Sequence, residues 1–130
     1  MQNLHLIRLE LARDPDHPEG DRRHGYEFVA PLDAMGNLDL KGWDQARARC
    51  TVHRFHSGEE DMRGHLVHRA GGAGGSQWIF HYDVAGDPDE DEVGFHFESH
   101  CFNQGDYVSI REMDEELHTF LVVSVRPLDV

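Results

Sequence analysis

The chain has 130 residues, with 25 acidic side chains against 12 lysines and arginines, and a formal net charge of −13. That length can bury a core without disulfide or metal staples and reads as one domain over 1–130, and no apolar run approaches the roughly 18–20 residues of a membrane-spanning helix. Residues 1–69 carry 12 acids and 10 bases, whereas residues 70–130 carry 13 acids and only two bases, Arg111 and Arg126. Such a field repels phosphate backbones and anionic lipid, which argues against nucleic acid and membrane surfaces as partners.

In chain order, residues 3–12 alternate as a strand whose apolar phase shifts between Leu6 and Ile7, the mark of a β-bulge. Residues 13–24 hold two prolines and no large apolar side chain, and read as an exposed loop. Residues 25–31 form a second strand with Tyr26 and Phe28 on one face. A single short helix is predicted over 40–49, capped by Asp39 and presenting Leu40, Trp43, Ala46 and Cys50 on one stripe. Six more strands follow at Thr51–His56, Gly64–Ala70, Gln77–Val84, Val93–Phe102, Tyr107–Met113 and Leu117–Arg126, with short polar breaks. The fold class is mainly β: a small antiparallel barrel of about eight strands, closed so that no edge is left exposed.

The fifth and sixth strands can be paired from their aromatic residues. A register with Phe80 opposite Phe97 also sets Tyr82 opposite Phe95, with Trp78 on the same face. On the other face it gathers His81, Asp83, His96, Glu98 and His100. Two imidazoles and a carboxylate suffice for an open zinc or non-haem iron site, so His81, His96, Glu98 and His100 are the candidate ligands of a divalent metal. The competing reading is a solvated outer face in a chain with 11 histidines. His53, His56, His65 and His68 stand three apart in pairs, face opposite ways on a flat strand, and read as surface or interfacial.

Other motifs fail on inspection. The acidic run from Asp87 places Glu98 at position twelve of a calcium loop but has Glu92 where glycine is required. GGAGGS at 71–76 joins two strands and lacks the GK[ST] ending of a phosphate loop. The arginines between Arg47 and Arg69 sit among acids, and no serine lies in a nucleophile elbow, so no catalytic residue is assigned. Cys50 and Cys101 form no CxxC, and with no export signal at the start they read as reduced thiols in a cytoplasmic protein.

The segments QWIFHYD, NQGDYVSIRE and LHTFLVVSVRP, with the opening LHLIRLELARDP, resemble an uncharacterised family of small acidic bacterial proteins. The resemblance covers most of the chain and implies an intact bacterial domain; it carries no activity, cofactor or site. The expected function is a soluble barrel module binding a small ligand or partner. The alternatives are a metal-binding protein or metal-dependent enzyme using the strand histidines, and an acidic domain that docks a basic protein through its C-terminal half. The ligand-binding residues and the oligomeric state have no sequence signal.

Overall fold

The computed structural model describes residues 3–69, 77–82, 91–95, 97 and 101–128. Eight strands run β1 (Leu4–Leu11), β2 (Asp21–Pro31), β3 (Thr51–His56), β4 (Met62–Arg69), β5 (Gln77–Tyr82), β6 (Glu92–Phe95), β7 (Tyr107–Arg111) and β8 (Leu117–Pro127). Each pairs antiparallel with its sequence neighbour, and β1 pairs with β8, so the meander closes into a barrel. None of the described helices is long and apolar enough to cross a membrane.

Period-two alternation decides what lies inside. Ile7, Leu9 and Leu11 of β1, Tyr26 and Phe28 of β2, Val108 and Ile110 of β7, and Phe120 and Val122 of β8 are all buried. An eight-stranded barrel is wide enough for its own side chains or for one small ligand, and here rings fill it. Phe80 lies 5.1 Å from Tyr26 and 5.2 Å from Phe28, centroid to centroid, and Phe97 lies 5.0 Å from Phe102. The bulge expected between Leu6 and Ile7 is not there, since β1 pairs with β2 without a slip from Leu4 to Glu10, although Leu4 and Ile7 are both buried. The pairing with β8 slips where Arg8 faces Ser124 and Leu9 faces Val122, which leaves Val123 of β8 as the extra residue.

The predicted helix is shorter than expected: α1 spans Leu40–Gln45 and passes into a single 3-10 turn over Arg47–Arg49. Asp39 caps it as read, its carboxylate accepting from the Lys41 amide. Trp43 anchors it by donating from Nε1 to the Leu66 carbonyl at 2.8 Å and meeting Trp78 edge-on at 5.5 Å. The segment carrying α1 joins β2 to β3 at one end of the barrel and plugs it. Residues 12–20, 57–61 and 112–116 join strands at the other end, the mouth.

The register between β5 and β6 differs from the one read off the aromatic residues. Phe80 faces Glu92, Ile79 faces Val93 and Trp78 faces Gly94. Trp78, Phe80, Tyr82 and Phe97 are core residues as expected, but β6 turns its even positions inward. The reason is steric: a Cβ on Gly94 would stand 2.4 Å from the Phe97 ring, so Phe97 folds over Gly94 and takes the interior place that residue leaves empty. Phe97 therefore reaches the core from beyond the strand, not as the cross-strand partner of Phe80. The expected loop over 13–24 is also too long, because β2 begins at Asp21 and His24 is buried inside it.

Candidate functional site

Following the inward face of each strand to the mouth gives a set of polar residues where rings would otherwise continue. β2 adds His24 beyond Tyr26, β3 adds Arg54 and His56 beyond Val52, and β8 adds His118 before Phe120. Glu92 opens β6, and Glu112 follows β7 in phase with Val108 and Ile110. Glu92 is 0 % exposed, Glu112 4 %, Arg54 5 % and His24 6 %. Burying charge is costly unless it is paired and hydrogen-bonded, and these residues are mutual partners.

Glu92 Oε1 lies 2.6 Å from the Tyr82 hydroxyl and 2.8 Å from the Tyr26 hydroxyl, and Oε2 accepts from the Met113 amide at 3.0 Å. Glu112 accepts from Tyr26 through Oε2, and His24 Nε2 stands 3.0 Å from each of its oxygens. Arg54 lies between the two carboxylates. Its terminal nitrogen is 3.5 Å from Glu112, and its Nε is 3.3 Å from Glu92 Oε1 but out of hydrogen-bond alignment, so Nε is buried without an accepting partner. A further nitrogen reaches outward to Glu59 at 3.3 Å.

This environment splits the two carboxyls. Burial dominates at Glu92 and, with the Glu112 charge, holds its carboxyl above the ordinary range despite Arg54 and the two phenols. Burial pushes Glu112 the same way, but hydrogen bonds from His24 and Tyr26, the His24 charge and Arg54 outweigh it and keep Glu112 below that range. Burial and the neighbouring carboxylates drive both phenols upward, so Tyr26 and Tyr82 stay protonated.

Above this floor the mouth opens into a recess of about 420 Å³ lined by Leu11, His17, His24, Arg54, His56, Glu59, Glu112, Met113, Asp114 and His118. The His24 ring lies 4.1 Å from His56 and 6.1 Å from His118. His118 Nε2 is 2.8 Å from Asp114 and 3.7 Å from Glu112. Burial works to lower its pKa, but those carboxylates and Glu116 prevail and raise it.

Of the sequence-predicted metal residues, the described one, His81, does not line the recess. His81 lies on the outside of β5, opposite His65, and its Nδ1 is held 2.8 Å from Asp91, which also takes Arg69 at 2.9 Å. His96, Glu98 and His100 lie outside the described residues, as do Asp83 and the GGAGGS segment. Among the described residues, one group places three ligand-type atoms within 4.8 Å of one another: Asp114, Glu116 and His118, on the rim, two of them exposed. Of the four strand histidines read as surface residues, His56 lines the recess and His68 packs 4.7 Å from Trp78. The sequence reading missed His24, Arg54, Glu92 and Glu112. The signal for three of them was present, since each sits two residues along from an apolar inward position.

No family model, curated protein or solved structure matches this chain.

Proposed function

We propose that the protein binds a small polar molecule in the histidine-lined recess at the barrel mouth. The observation that carries this reading is the recess itself, whose floor is a buried Arg54, Glu92 and Glu112 network. Its volume falls in the range of small-molecule sites, roughly 300–1,000 Å³. The ring-filled interior argues against a ligand inside the barrel. Four imidazoles, one guanidinium and three carboxylates around the recess favour a ligand with both hydrogen-bond donors and acceptors, while Leu11 and Met113 offer it an apolar edge. The two free thiols, Cys50 and Cys101, suit the reducing cytoplasm that belongs to this reading.

A fragment library screened by amide and imidazole NMR shifts tests it. Hits should perturb His24, His56, Met113 and His118 together and lose affinity in His118→Ala. Hits that cluster at α1 instead, or a library that perturbs none of these residues, would overturn the reading.

A further inference from the structure

The Tyr26 hydroxyl touches a carboxylate on each side, Glu92 and Glu112. A phenol has one proton and donates one hydrogen bond of this kind. Two ionised carboxylates accept only, so one of the two contacts needs a second proton. The Tyr82 hydroxyl cannot supply it, because its own proton is spent on Glu92.

We infer that the floor of the recess is a proton-binding site in which Glu92 carries a proton at neutral pH and Tyr26 connects it to Glu112. With the acid on Glu92, every group has a role. Glu92 Oε1–H donates to Tyr26, which donates to Glu112 Oε2. Tyr82 donates to the remaining lone pair of Glu92 Oε1, and the Met113 amide donates to Oε2. His24 donates to Glu112. With Glu92 neutral, Arg54 lies beside one buried carboxylate charge, that of Glu112, instead of two.

Glu92 is the better of the two for the proton. Its donors are phenols and an amide, and Arg54 Nε is out of line with it. Glu112 has an imidazole N–H on both oxygens and the Arg54 terminus nearby. Among the described residues, the titratable groups that face Glu92 are Tyr26 from β2, Arg54 from β3, Tyr82 from β5 and Glu112 after β7; His24 and His118 face Glu112 from beyond. The upward displacement of Glu92 and downward displacement of Glu112 agree with this assignment.

The arrangement is also a two-step wire. As the Glu92 O–H bond breaks and a new O–H bond forms on Tyr26, the original phenolic proton passes to Glu112. The net change moves one proton from the core to the wall of the recess with no other reactant. A ligand that favours a neutral Glu112 would draw the proton toward it.

Infrared spectroscopy of the whole protein in its native state reads the site directly. The wild type should show a protonated-carboxyl C=O stretch at neutral pH, where ordinary carboxyls are ionised, and Glu92→Gln should abolish it. Tyr82→Phe should shift its frequency, because the Tyr82 hydroxyl donates directly to Glu92, while His24→Gln should leave it unmoved. If Glu92→Gln does not fold, carbon-13 labelling of the glutamate carboxyls in the wild type gives the same answer by NMR, as one resonance in the protonated position at neutral pH. A wild type without that band or resonance overturns the inference. So does a band that survives Glu92→Gln, or one that moves with His24→Gln and not with Tyr82→Phe.

Discussion

His24 and Glu112, 88 residues apart in the chain, meet inside the barrel with the His24 Nε2 atom 3.0 Å from both carboxylate oxygens. β2 and β8 both flank β1, and barrel closure brings their inner faces together at the mouth. Arg54 is the cation that completes this pairing. Arg54→Met should therefore leave Glu112 uncompensated and cost about 3–5 kcal/mol in urea unfolding. Arg49→Met, on the exposed 3-10 turn, should stay within about 0.5 kcal/mol. A loss below about 1 kcal/mol for Arg54→Met would mean that water already solvates the network.

The pH dependence follows from the two carboxyls having moved in opposite directions. Glu112 sits below its ordinary 4.5, so its stabilisation is present above that value and is lost as pH falls through the folded value. Glu92 sits above 4.5, so its contribution is complete below 4.5 and is lost as pH rises through the folded value. His118, raised from 6.5, likewise contributes below 6.5 and loses that contribution as pH rises. The urea midpoint should thus be highest on the mildly acidic side of neutrality. The acid limb should flatten in Glu112→Gln and the alkaline limb in Glu92→Gln. A midpoint that climbs steadily from about pH 5 to about pH 8 would contradict this assignment.

Gly64 of β4 lies against β5 so closely that a Cβ there would stand 1.9 Å from the His81 carbonyl oxygen and 2.6 Å from the Tyr82 Cα. Both neighbours are backbone and cannot swing aside. Gly64→Ala should separate the two strands and cost about 1–3 kcal/mol by thermal or urea unfolding. Gly58, at the β3–β4 turn with open space around it, has a φ of +84° and no packing conflict. Gly58→Asn, which tolerates that conformation, should cost well under 1 kcal/mol, roughly. Equal losses at the two sites would remove the steric explanation.

The two thiols should separate in a native Ellman titration. Cys50 is wholly buried, and desolvation pushes its thiol up to about 11 despite Arg49. Cys101 is half-buried and donates to Asn37 Oδ1 at 3.3 Å. One equivalent should react quickly and one only on unfolding, and Cys101→Ser should remove the fast phase. Two fast equivalents would show that the plugged end opens readily.

The barrel was legible because its strands alternate cleanly and its breaks are short. The mouth was less so, for a reason visible in particular residues. Val52 and Arg54 share a face, as do Tyr26 and His24, and strand phase alone places the polar member inward wherever the apolar one is. Composition argues the other way, because arginine and histidine are mostly surface residues. Glu92 was hidden more deeply. It ends an acidic run, and its inward direction depends on β6 turning Gly94 inside so that Phe97 can fold over it. That is a steric outcome between residues three apart, which no periodicity encodes. The candidate metal face was read from the same register, and of its four residues His81 is the one the structure describes, on the outside of β5.

Both tryptophans, Trp43 and Trp78, belong to the plugged end, set edge-on at 85° with His68 against both of them. The phenols of Tyr26 and Tyr82 belong to the floor of the opposite end. The protein thus carries two built-in optical reporters that look at different places. Indole emission gauges the seating of α1 and is blind to whatever enters the mouth. Tyrosine difference absorption, taken in a Tyr107→Phe background because Tyr107 is exposed on β7, gauges the floor of the mouth. Observing one signal move while the other stands still would show whether the two ends of this barrel loosen together or separately.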